Sequence, residues 1–190
     1  MTWTTDQIKE LTNKYPYLIP HNGWTGRIIE DYDYTYVEGS YDLPEGWQKL
    51  FLLMCKQIRP YIVKAGLLDK FYFTQLKEKY GTMRTYNSGY PRSMQHVFNM
   101  FECYSCHVCQ MCGKPSVWET QGWISYLCNE CISPYEENVL KVKHKKCFCE
   151  ESYGKHGHQK IYISYKHLDK EYKKVMSYTD QEFFEYMMNE

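Results

Sequence analysis

Two cysteine pairs, Cys109-Gln110-Met111-Cys112 and Cys128-Asn129-Glu130-Cys131, stand fifteen residues apart. A two-residue gap lets both thiolates of a pair face one ion, and two such knuckles at this separation close a tetrahedral four-sulfur site. Gly113 follows the first pair and supplies the tight turn in which backbone N–H groups point at the sulfurs. The intervening segment reads as a hairpin, Ser116 to Glu119 outward and Trp123 to Leu127 back, with Gln121-Gly122 at the turn. A structural zinc ion is the expected occupant. Binding of that kind contributes roughly 10–16 kcal/mol in small zinc modules. This rivals the roughly 5–15 kcal/mol stability of a whole domain, so loss of one ligand should unfold the module.

The redox setting supports this reading. The N-terminus, Met1-Thr2-Trp3-Thr4-Thr5-Asp6, has no basic region followed by an apolar stretch, and no apolar run reaches membrane-spanning length. The expectation is a chain of the reducing cytoplasm, with no membrane partner. Nine cysteines there are read as metal ligands and buried thiols and not as disulfides. Cys103 and Cys106 extend the three-residue spacing backwards and share one face of a preceding helix. Together with Cys147 and Cys149 they make a candidate second metal site, against the plainer reading of buried structural thiols. His107 is expected to be an exposed helix-end residue.

Around this module the sequence reads as α+β: helices packed on a small antiparallel sheet, with the zinc-ribbon hairpin inserted. A first helix runs from Thr5 to about Tyr15, capped by a side-chain oxygen and stopped by Pro16. Trp47, Leu50, Phe51, Met54, Ile58, Tyr61 and Ile62 recur at helical spacing, with Pro60 expected to kink or split the helix and Gly66 to end it. Phe71 to Tyr80 and Thr82 to Tyr86 alternate as the arms of a hairpin turning at Gly81. Ser93 should cap a helix that turns Met94, Val97, Phe98 and Phe101 inward. Ile161 to Tyr165 reads as a strand, and Thr179 caps a last helix. Three regions follow: an N-terminal α+β region, 1–107; the zinc ribbon, 108–133; and a basic strand and helix region, 134–190.

Catalytic signatures are missing. A nuclease of the His-Asn-His type needs a histidine after its first knuckle, and none lies between Cys112 and Cys128. There is no His-x-Glu with Pro-Cys-x-x-Cys, no P-loop, no Gly-x-Gly-x-x-Gly, no Gly-x-Ser-x-Gly and no His-Glu-x-x-His. The chain is therefore read as a binding protein without a small-molecule substrate. Two surfaces offer themselves. From Ile28 to Glu45 the chain carries acids and no Lys or Arg, and Glu30, Asp31 and Asp33 interleave with Tyr32, Tyr34 and Tyr36. Such a face suits a basic groove on a protein; the alternative is a solvated loop. The stretch from Lys141 to Lys160 is rich in lysine and histidine and could meet phosphate; solvated strand-edge lysines are the plain alternative. Zero net charge argues against indiscriminate nucleic-acid binding by the whole chain.

Three stretches also carry a resemblance. They are Tyr17-Leu18-Ile19-Pro20 through Trp24 to Pro44-Glu45-Gly46-Trp47, then Gln75 to Tyr86 with its Lys-Glu-Lys-Tyr-Gly turn, then the two knuckles with Gly122-Trp123-Ile124-Ser125 before the second. In these the chain resembles a family of mostly uncharacterised bacteriophage and prophage proteins. Cys103, Cys106 and everything after Cys131 lie outside that pattern. The resemblance implies an accessory zinc-binding protein acting in the cytoplasm of a host bacterium. It extends to an anti-CRISPR role, inhibition of a Cas9 effector nuclease by stoichiometric binding, with a nucleic-acid-binding accessory protein as the alternative.

Overall fold

The computed structural model describes residues 3–29, 41–133, 139–141, 148–154, 157–162 and 166–189. Its first helix, α1 (Thr5–Lys14), begins with a reciprocal capping box. The Thr4 hydroxyl accepts from the Gln7 amide, and the Gln7 side chain reaches back to the Thr4 N–H. Tyr15 and Tyr17 follow into the core, where the Tyr17 hydroxyl donates to the Cys55 carbonyl at 2.8 Å.

The central element is α2 (Gln48–Lys64), which buries Leu50 to Cys55, Ile58 and Ile62. It runs through Pro60 unbroken, so of the kink or split expected from the sequence the split does not occur. Pro60 itself is exposed, while Ile58 and Ile62 on either side are fully buried, so packing holds the helix across the missing N–H. Gly66 terminates it with φ near 65°, and the Leu67 amide donates back to the Ile62 carbonyl.

The hairpin follows as read. Strands β2 (Phe73–Lys79) and β3 (Thr82–Asn87) pair antiparallel around a two-residue turn at Tyr80 and Gly81, both at positive φ. The preceding strand, β1 (Tyr41–Asp42), joins the other edge of β2 in parallel, an addition the sequence did not announce. Helix α3 (Gln95–Ser105) packs against β3. The Ser105 hydroxyl accepts from the Met83 amide at 2.9 Å, and Arg84 pairs with Glu102. Met94, Val97, Phe98 and Phe101 are buried as expected. Ser93, however, lies inside a 3₁₀ turn (Arg92–Met94), and no side-chain cap is made there.

The metal-module hairpin is β4 (Trp118–Thr120) with β5 (Tyr126–Leu127). The basic segment contributes β6 (Val139–Lys141) to its other side, giving the order β5-β4-β6. Strands β7 (Phe148–Gly154) and β8 (Gly157–Tyr162) form a separate antiparallel pair, and β7 packs against α3.

The chain closes with α4 (Lys166–Met176) and α5 (Asp180–Met188), the latter opened by a Thr179–Glu182 capping box. Both return to the N-terminal region. The Trp3 indole donates to the Asp180 carbonyl at 2.8 Å, and the Tyr15 hydroxyl to the Met187 carbonyl at 2.7 Å. One core thus runs from Leu11 to Met187, with the metal module as a small satellite cluster of Leu127 and Ile132 around the cysteines. The architecture is α+β, and no helix among the described residues is long and apolar enough to cross a membrane.

Candidate metal centre

The site is assembled by two turns that face each other. In the first knuckle the Gly113 amide donates to the Cys109 carbonyl at 2.9 Å, and the Cys109 amide to the Lys114 carbonyl at 2.7 Å. In the second, the Cys131 amide reaches the Cys128 carbonyl at 3.2 Å. The hairpin sets their separation: the Val117 amide bonds to the Leu127 carbonyl, and the Gln110 amide to the Tyr126 carbonyl. The Thr120 hydroxyl ties off the tip by donating to the Trp123 carbonyl at 2.6 Å while accepting from the Ser125 amide.

The sulfurs of Cys109, Cys112, Cys128 and Cys131 then all lie within 4.8 Å of one another. Cys112 Sγ and Cys128 Sγ are 3.6 Å apart. A tetrahedron built on metal–sulfur bonds of about 2.3 Å has edges of about 3.8 Å, so this cluster has the dimensions of a four-thiolate metal site. Cys109 and Cys128 are buried, Cys131 is half-buried and Cys112 is exposed, so the site opens to solvent on the Cys112 side.

The electrostatics agree with the geometry. Burial, and hydrogen bonding with Cys128 and Cys109, push the Cys112 thiol up despite the Lys114 N–H aimed at its sulfur. Cys131 is pushed up further by burial and by its neighbours Cys112 and Cys128. Burial also works against ionisation of Cys128, but the Cys131 and Glu130 N–H groups and the Cys112 side chain outweigh it and hold that thiol down. Clustered thiols cannot all ionise side by side unless a cation offsets their repulsion. Backbone N–H groups pointing at sulfur are the arrangement the Gly113 turn foreshadowed.

The module is docked firmly on the helical core. The Gly46 amide donates to the Gln110 carbonyl at 2.8 Å, and the Trp47 indole to the Val108 carbonyl at 3.1 Å. A side chain at Gly46 would collide with the Cys109 and Gln110 carbonyls and the Gly113 nitrogen. From the other side, the Tyr172 hydroxyl of α4 donates to the Gly113 carbonyl at 3.1 Å. Burial, then the nearby Cys112 and Cys109 thiols, keep that phenol protonated. None of Gly46, Trp47 or Tyr172 was legible as part of the site. Only the Pro44-Glu45-Gly46-Trp47 stretch carried a signal, and it was a signal of resemblance, not of contact.

The other candidates fare differently. Cys103 lies in the last turn of α3, and Cys106 caps it, its thiol donating to the Cys103 carbonyl at 2.9 Å. Neither belongs to the four-sulfur cluster, which is the one such group among the described residues. Cys147 lies outside the described residues. Cys149 lies on β7, beside α3, with its side chain undescribed. His107 is half-buried beside the Tyr104 ring, not exposed as expected, because the chain turns inward there to start the knuckle. Glu30, Asp31, Tyr32, Asp33, Tyr34 and Tyr36 all lie outside the described residues, as do the side chains of the basic stretch from Lys141 to Lys160. Compared with known proteins, the chain matches no protein family, no curated protein and no solved structure.

Proposed function

We propose that the chain is a zinc-stabilised binding protein that acts on a host protein by occupying its surface, without catalysis. The observation that carries this reading is the convergence of four cysteine sulfurs from two knuckles to within 4.8 Å. A tetrahedral all-thiolate set selects zinc or iron among the common metals. Four thiolates fill zinc's coordination, leaving no position for an activated water or a substrate. A metal held this way stiffens the hairpin and the docked knuckle, so function falls to the surface they present.

The resemblance to phage accessory proteins supports a host defence protein as partner, with a Cas9 nuclease the specific case. The acidic and aromatic residues Glu30, Asp31 and Asp33 with Tyr32, Tyr34 and Tyr36 are the contact face in this reading. The test is affinity capture from a host lysate with zinc-loaded protein, followed by mass spectrometry. A stoichiometric nuclease should be recovered. It should be lost when Glu30, Asp31 and Asp33 are all replaced by lysine while zinc content stays the same. Recovery at full strength by that variant would rule out the acidic face, and capture of no host protein would rule out the partner.

A further inference from the structure

The three most exposed large hydrophobic side chains among the described residues are Trp24 at 98 %, Trp123 at 81 % and Tyr80 at 70 %. They come from three separate parts of the sequence, yet the segments that carry them meet at the two ends of one strand: Gly23 lies against Thr74 near the start of β2, and Ile124 against Gly81 just past its end. In β2, Leu76 is buried, so by alternation Gln75, Lys77 and Lys79 lie on the opposite face. Register puts Tyr86, 44 % exposed, across from Gln75. Lys77 Nζ sits 5.1 Å above the Tyr86 ring and Lys79 Nζ 5.3 Å above the Tyr80 ring.

At one end of this strand, the segment 21–28 is anchored beside the start of β2. The His21 ring stacks on Tyr72 at 4.1 Å, and Gly23 lies against Thr74. This segment carries the exposed Trp24 and Arg27. At the other end, the Tyr80–Gly81 turn touches the metal hairpin so closely that a Cβ on Gly81 would lie 2.6 Å from Ile124 and from the Tyr126 ring. Trp123 directly precedes Ile124 at that junction.

We propose that this strip, from Trp24 through Lys77, Tyr86, Lys79 and Tyr80 to Trp123, binds single-stranded nucleic acid. The strip spans roughly 20 Å at strand rise, which separates the two tryptophans too widely for one apolar anchor. A polymer of alternating planar bases and phosphates engages rings and cations in turn. Exposed aromatic faces accept unpaired bases in any sequence, and the cations beside them track the backbone. A duplex hides those base faces. The attraction is local: the chain as a whole carries no net charge, and Arg27, Lys77 and Lys79 supply it. This surface uses none of the metal ligands and none of the acidic residues of the host-protein reading, and shares with that reading only the hairpin that carries Trp123.

The experiment is fluorescence anisotropy of the zinc-loaded full chain with labelled oligothymidylate and oligouridylate of roughly 15 nucleotides, and with a duplex of the same length. Binding of either single strand is expected, with quenching of tryptophan emission and at least about tenfold weaker binding of the duplex. Three cations predict a slope of about −2 in log affinity against log salt. Trp24→Ala, Trp123→Ala and the pair Lys77→Glu with Lys79→Glu should each weaken single-strand binding about tenfold or more. Lys64→Glu, at the far end of α2, should leave it unchanged. Metal content and melting temperature, unchanged in all variants, separate loss of the surface from loss of the fold. Failure of both single strands to bind at low salt would overturn the proposal. So would equal affinity for duplex, or intact tryptophan variants that bind like the parent. So too would a Trp123→Ala variant that loses a captured protein and keeps the oligonucleotide.

Discussion

The Tyr172 hydroxyl reaches across from α4 to donate a hydrogen bond to the Gly113 carbonyl at 3.1 Å. This bond joins a helix near the C-terminus to the turn that shapes the first knuckle. On its other flank the same turn meets Gly46, whose carbonyl lies 2.9 Å from where a Cβ on Gly113 would stand. The four-cysteine cluster is therefore held by the core as well as by its own two turns.

Removing the bond should loosen that hold without removing a ligand. Tyr172→Phe keeps the ring against Tyr104, 5.5 Å away and edge-on, and deletes only the donor. A loss of about 1 kcal/mol in urea denaturation is expected, with metal content unchanged and faster metal release to a chelator. An unchanged release rate would mean that α4 does not brace the knuckle.

Gly46→Ala tests the opposite face. The added methyl meets three backbone atoms of the knuckle, which have no flexible end to swing away. Overpacking of this kind costs about 1–3 kcal/mol, here at the seam between module and core. The expected result is a lowered urea midpoint with the secondary structure of the helical core retained.

Acid should weaken the junction of α3 and α4. Burial raises the pKa of Asp169, but the Lys173 ammonium at 2.7 Å and the Tyr104 hydroxyl at 3.0 Å more than reverse this and hold it below the usual carboxylate range. A depressed folded-state value means stability present above the unfolded pKa and lost as pH falls through the folded one. Asp169→Asn should therefore remove part of the pH dependence below about pH 4, measured as melting temperature against pH, and should change little of that slope near neutrality. The carboxylate is half exposed, so solvent screening keeps the effect small.

The Tyr80–Gly81 turn makes a further demand. Gly81 combines positive φ with direct contact to Ile124 and Tyr126. Gly81→Ala should lower the melting temperature by several degrees, as expected for a loss of about 1–3 kcal/mol. Gly122→Ala, also at positive φ but with open space around it, should cost less. Equal effects would show that the contact between the two hairpins carries no stability.

The parts of this molecule legible in its sequence are those fixed by near neighbours. Cysteine spacing located all four sulfurs, the Thr179–Glu182 box marked the last helix, and alternation through Gly81 gave the register-forming hairpin. What stayed hidden depends on distant partners. The parallel addition of Tyr41–Asp42 to β2 has no local pattern to reveal it. Pro60 reads as a breaker until the burial of Ile58 and Ile62 is known. Gly46 and Tyr172 touch the knuckle across separations of 64 and 59 residues, and nothing in their surroundings in the chain announces it.

The most direct test of the metal centre is native mass spectrometry of the purified chain, paired with cobalt substitution. One zinc ion per chain, bound through Cys109, Cys112, Cys128 and Cys131, is the expected result. Cobalt in its place should give the sulfur-to-metal absorption of a tetrahedral four-thiolate site, and both signals should vanish in Cys109→Ser with Cys128→Ser. Protein that binds no metal, or a double variant that keeps zinc and the cobalt spectrum, would contradict it.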